Sequence, residues 1–166
     1  MTNIEGKEVP LSKYKDHVIM IVNVASKCGL TPQYEQLEEL HDKYAEKGLT
    51  ILAFPANDFG QQEPGTNDEI KEFCKTNFGV KFALFSKITV KGKETCELYK
   101  YLTDKKTNPE FAGPIRWNFT KFLTDGEGKL IARFEPRTPP DDPAVIKALE
   151  DALAKLPKKA DEKKPE

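Results

Sequence analysis

The chain has 166 residues, enough for one domain and too few for two ordinary ones. Its 26 basic residues nearly cancel its 27 acidic ones, leaving a net charge of −1. That balance argues against a dedicated binder of nucleic acid or of anionic membrane, which would carry a basic excess. No stretch approaches the roughly 20 apolar residues that a membrane helix needs. The N-terminal Met1-Thr2-Asn3-Ile4-Glu5-Gly6 shows no signal-peptide pattern, so a cytoplasmic location is expected. The three cysteines, Cys28, Cys74 and Cys96, are too few and too odd for a disulfide framework. His17 and His41, with no Cys-x-x-Cys, give no metal-site spacing, and no cofactor motif is present.

The elements are expected in the following order. His17 to Val24 is a continuous Ile/Val-rich run and reads as a buried central strand. Thr31-Pro32 reads as a helix start, with Thr31 as N-cap. Apolar residues at helical spacing through Tyr44 then predict a helix over 32–46, stopped at Lys47-Gly48. Leu49 to Phe54 reads as a second buried strand closed by Pro55. Thr66 and Glu69 form a capping-box pattern ahead of a helix over about 67–77. Ala83 to Ile88 reads as a third strand and Cys96 to Thr103 as a helix. Phe119–Thr124 and Lys129–Phe134 are strands joined by the turn Asp125-Gly126-Glu127-Gly128. Asp142-Pro143 opens a last helix with Val145, Ile146, Leu149 and Leu153 inward. One domain over residues 1–156 is expected, ordered from about residue 5. Residues 157–166 are charged and Pro-flanked and read as a disordered tail. A parallel β-α-β start and an antiparallel hairpin at the end imply an α/β domain: a mixed sheet with helices on both faces, matching a thioredoxin-like architecture.

Cys28 falls in the loop that leaves the first buried strand, about one turn ahead of a helix. Ligands bind at this edge in open α/β sheets. Unpaired amides and the helix dipole favour an anion there, and a thiolate is both an anion and the nucleophilic form of cysteine. Lys27 adds positive charge if it points toward the sulfur, and Gly29 is expected to let the backbone approach it.

Three strings then sharpen the reading. Asn23 to Thr31 (NVASKCGLT), Leu52 to Gly65 (LAFPANDFGQQEPG) and Trp117 to Leu123 (WNFTKFL) resemble, in order, the signature segments of the glutathione peroxidase family. In animal members selenocysteine often stands where this chain has Cys28. The resemblance implies a thiol peroxidase that reduces hydrogen peroxide and organic or lipid hydroperoxides, with Cys28, Gln62, Trp117 and Asn118 as the catalytic group. It implies oxidation of Cys28 to a sulfenic acid, resolution by Cys74, and recycling by thioredoxin or glutathione. Many members place the resolving cysteine one position later, where this chain has Lys75; a bacterial subgroup places it at Cys74. Cys96 is an alternative resolver. The short segment Thr103–Arg116 implies a monomer with an open site. Three features depart from the family pattern. Asp58 replaces the usual Gln and opposes thiolate formation if it faces the site, and Ala56 stands where a Cys is often seen. The N-terminus is shorter than usual, which implies an incomplete opening hairpin. A peroxide sensor that passes its disulfide to a partner protein shares the same Cys28 and is the alternative function.

Overall fold

The structure is a computed structural model, and it describes residues 1–157. Five strands, β1 (Val18–Val24), β2 (Leu49–Pro55), β3 (Ala83–Leu84), β4 (Lys121–Thr124) and β5 (Leu130–Phe134), form one sheet in the order β3-β2-β1-β4-β5. The pairs β1–β2 and β2–β3 are parallel, and β1–β4 and β4–β5 are antiparallel. The continuous apolar run is thus the middle strand, flanked on both edges and covered on both faces. Helices α1 (Gln33–Tyr44), α2 (Asn67–Phe78), α3 (Glu97–Thr103) and α4 (Pro143–Ala154) complete the domain.

The period-two alternation of β1 divides the core. Val18, Met20, Val22 and Val24 face a cluster with Tyr34, Leu37 and Leu40 of α1, Ile70 and Cys74 of α2, and Val145 and Leu149 of α4. Ile21 faces the other cluster, with Phe54, Phe85, Phe122, and Tyr99 and Leu102 of α3. Three helices therefore cover one face and α3 the other.

The expected elements are present, with local differences that have physical causes. The capping box at α2 is complete: Thr66 accepts from the Glu69 amide, and the Glu69 carboxylate accepts from the Thr66 amide. Gly48 stops the first helical region at φ +112. Thr31 does not cap α1; Pro32 occupies the N-cap position without a side-chain bond, because the Thr31 hydroxyl is engaged elsewhere. Cys96 is the N-cap of α3 rather than its first residue. The third strand is shorter than expected because its ladder with β2 breaks at Ser86 and Lys87, where the Lys87 amide turns to Asn67 Oδ1, before a single bridge resumes at Ile88; its outer edge is covered by the N-terminal segment. Ile4 donates to the Leu84 carbonyl, and Ser86 donates to that of Thr2. Order also begins earlier than residue 5. Residues 1–9 close a small hairpin through Asn3 N–H to Lys7 O at 2.8 Å and Val9 N–H to Met1 O at 2.7 Å, and Ile4 is buried. Strand β4 starts at Lys121 rather than Phe119, because residues 117–120 form a turn tied to β1. Residues 158–166, which hold most of the expected tail, lie outside the described residues.

Candidate active site

Cys28 sits at the carboxyl end of β1, nearly buried at 8% exposure. Its loop is fixed from within. The Cys28 amide donates to Thr31 Oγ1 at 3.0 Å, and that hydroxyl donates to the Ala25 carbonyl at 2.8 Å. The amide that meets the sulfur is that of Leu30, which donates to Cys28 Sγ at 3.3 Å. An N–H aimed at sulfur stabilises the thiolate over the thiol. Gly29 is not needed for that approach: a Cβ there would meet nothing within 4 Å.

The loop after β2 is tied to the Cys28 loop by two bonds. Lys27 donates its amide to the Gln62 carbonyl at 3.0 Å, and Ser26 donates its amide to Glu63 Oε1 at 3.1 Å. Gly60 is required in this loop. Its φ is +63, and a Cβ would stand 3.2 Å from Trp117 Cη2. Asp58 turns away from Cys28, and its Oδ2 accepts the Val90 amide at 2.7 Å. Its charge is thereby committed to a loop, and the concern that it opposes a thiolate does not arise from this geometry.

The third segment is held by Asn23 of β1, which is fully buried. Asn23 Nδ2 donates to the Trp117 carbonyl at 3.1 Å, its Oδ1 accepts from the Thr120 amide at 3.1 Å, and its carbonyl accepts from the Phe119 amide at 2.7 Å. These bonds hold Phe119 in the left-handed region at φ +68, a strained conformation for a bulky residue. The turn aims Asn118 inward and Trp117 outward. Asn118 is fully buried, and its Nδ2 donates to Gln62 Oε1 at 3.0 Å. With Oε1 engaged, the Gln62 amide nitrogen has no protein partner among the described residues and is left as a free donor. Trp117 is 37% exposed, with its ring centroid 5.7 Å from that of Phe59.

Cys28 and Trp117 line one cleft of about 790 Å³, together with Leu30, Arg116, Pro136 and Arg137. The structure thus pairs Gln62 with Asn118 and brings Cys28 and Trp117 to a shared opening. Lys27 instead lines a second cleft, of about 300 Å³, with Glu63, Glu69 and Phe73 on the α2 side. Glu63 is fully buried, and burial raises its carboxyl above the ordinary range.

The other two thiols are separated by the sheet. Cys74 is fully buried in the core cluster that also holds Cys28, and Cys96 packs against the opposite cluster. Burial pushes the Cys74 thiol up to about 11; the Tyr34 hydroxyl lowers it and the Glu63 charge raises it. Burial also raises Cys96. All three cysteines are free. The sequence alone assigns no positioning role to Asn23, Thr31 or Glu63. For Asn23 the available signal is a polar residue inside the apolar run of β1.

This is a thioredoxin-like sheet carrying one thiol at a strand-to-helix junction, with the Leu30 amide on its sulfur and an indole in the same cleft. The family model described as "Glutathione peroxidase" matches residues 1–103. The chain is 47% identical over 153 residues to the glutathione peroxidase of Lactococcus lactis, covering 92% of this chain and 93% of that protein. It is 42% identical to the thioredoxin/glutathione peroxidase BtuE of Escherichia coli, with 92% and 94% covered. Among solved structures, T. cruzi GPX1 superposes with a TM-score of 0.70 at 36% identity, with 92% of each chain covered. The chain belongs to the glutathione peroxidase family.

Proposed function

We propose that this thiol peroxidase works through Cys28. The thiolate attacks the distal oxygen of a hydroperoxide, the O–O bond breaks, and the departing alkoxide or hydroxide takes a proton. Cys28 is left as a sulfenic acid. The Gln62 amide and the Trp117 indole N–H donate to developing charge on oxygen, and Asn118 positions Gln62. The observation that carries this reading is the convergence of three separate loops on Cys28, with the Leu30 amide on its sulfur and Trp117 across the same cleft.

Cys74 is the resolving thiol in this reading. Its S–H condenses with the Cys28 sulfenic acid, releasing water and leaving a disulfide. The shared core cluster favours Cys74, and the intervening sheet disfavours Cys96. The thiol points into the core, so α2 has to unwind locally for the sulfurs to join. An external dithiol then reduces the disulfide by exchange. The relative named for thioredoxin supports thioredoxin in that role, and the family name admits glutathione. The substrates in this reading are hydrogen peroxide and organic or lipid hydroperoxides, which the open cleft of about 790 Å³ beside Cys28 supports. The short segment before Trp117 supports a monomer.

The test is to reduce the protein, add one equivalent of hydrogen peroxide, quench with an alkylating agent, and map the cysteines by mass spectrometry. A Cys28–Cys74 disulfide is expected. A Cys28 sulfenic acid beside a free Cys74 would remove the resolving role and keep the peroxidase one. A Cys28 that stayed a free thiol would overturn the reading.

A further inference from the structure

Lys121 is a buried charged group that this chemistry leaves unused. It stands in β4, and its side chain is fully buried. Its ammonium donates to Gln33 Oε1 at 2.9 Å and to the Pro136 carbonyl at 3.1 Å. The Pro136 carbonyl also accepts from Gln33 Nε2 at 2.8 Å. The three groups close a triangle between the sheet, the first residue of α1, and the segment 135–137. That segment is a wall of the Cys28 cleft, facing Leu30 and Trp117. Just upstream, Arg133 pairs with Glu135 at 2.8 Å and donates to the carbonyls of Phe111, Gly113 and Pro114. Pro136 has no tie of that kind; the triangle holds it.

We propose that Lys121 is a positioning residue for the reaction at Cys28: it pins the 135–137 wall to the start of α1 and so sets the cleft for hydroperoxides bulkier than hydrogen peroxide. The inference rests on the peroxidase reading above. Bonds from an ammonium are stronger than bonds from a neutral amine. Burial lowers Lys121 to about 7, while the charge of Glu135 opposes that shift. The remaining neighbours leave the balance to these two causes. Gln33 of α1 is neutral, and the strand partners Val22 and Phe134 are apolar. Arg133 is committed to Glu135, and Arg137 and Cys28 line the cleft beyond the wall. Below pH 7 the wall is held by charge-assisted bonds; above it the amine holds it more weakly.

The experiment measures rate constants of the reduced full-length protein with hydrogen peroxide and with cumene hydroperoxide between pH 5.5 and 8.5. Any pH effect common to both peroxides cancels in their ratio. In the wild type, the cumene-to-hydrogen-peroxide ratio is expected to fall roughly 3-fold as pH rises through the Lys121 transition. Lys121→Met is expected to lose about 10-fold on cumene hydroperoxide, to stay within about 2-fold on hydrogen peroxide, and to show a flat ratio. Parallel loss on both peroxides, or a wild-type ratio that ignores pH, would overturn the proposal. If Lys121→Met does not fold, the wild-type ratio decides alone. A wild type that consumes neither peroxide would instead defeat the peroxidase reading itself.

Discussion

Replacing Asn23 with Ala tests how the site is held. The side chain is fully buried and makes two bonds to the 117–120 turn, one to the Trp117 carbonyl and one from the Thr120 amide. Alanine strands the Thr120 amide, which costs about 1–3 kcal/mol, and takes one of two bonds from the Trp117 carbonyl, which keeps the Thr120 hydroxyl at 3.3 Å and loses about 1 kcal/mol more. The turn relaxes in part, which returns some of the strain stored at Phe119. A net loss of about 3 kcal/mol is expected. For a chain of this length that lowers Tm by about 10 °C. Urea unfolding followed by circular dichroism reads the same quantity, with the slope m unchanged if the denatured state is unaltered. Activity is expected to fall further than stability alone explains, by about 10-fold or more at 25 °C, because Trp117 and Asn118 both ride on this turn. Asn23→Asp is the control: it keeps the acceptor for Thr120 but sets an oxygen against the Trp117 carbonyl, so it should be no better than Ala. An Ala variant within about 0.5 kcal/mol of wild type, the range of inert surface changes, would refute the assignment of Asn23 as the clamp.

Gly60→Ala places a Cβ at φ +63 and 3.2 Å from Trp117 Cη2. A loss of about 1–2 kcal/mol in urea and a peroxidase rate reduced several-fold are expected; full activity would show that the indole position does not matter. Thr31→Val removes the acceptor for the Cys28 amide. A loss of about 1–2 kcal/mol in urea, with the peroxidase rate reduced several-fold, is expected. An unchanged rate and stability would show that the loop holds its shape without the hydroxyl. Cys74 gives a pH signature. Its folded value, about 11, lies above its ordinary value of 9.0, so the folded state keeps a proton that the unfolded state loses. The thiol's contribution is full below pH 9 and declines as pH rises through 11. Cys74→Ala should therefore flatten the fall in stability across pH 9–11; an identical slope would mean that the thiol is not buried in solution.

Much of the fold is readable from periodicity because the sheet's middle strand is apolar on both faces, and few other arrangements accept HVIMIVNV. Cys28 is readable for a related reason: a strand end before a helix is a ligand position by geometry. The ends of elements are less readable. Phe119 and Thr120 have strand-like residue types, but a buried Asn almost 100 residues earlier takes their backbone groups, and no local pattern carries that information. Phe85 and Ile88 still donate to the Ala53 and Pro55 carbonyls of β2, but the ladder between them is interrupted at Ser86 and Lys87, whose amides bond to Thr2 and to Asn67 Oδ1 instead. Thr31 looks like a cap in sequence because cap and loop-staple roles use the same hydroxyl. Nothing local to Lys121 marks it as buried, because its partners Gln33 and Pro136 come from α1 and from the segment after β5.

The chain contains a single tryptophan, and it is the one that stands half out of the cleft beside Cys28. Its emission therefore arises from one known place. Any event that changes the water or the charge around that indole, such as sulfur oxidation, substrate entry or the partial unwinding of α2, is reported without a label and without interference from elsewhere in the protein. The indole that shares the Cys28 cleft thus serves as a built-in optical gauge of events at the thiol.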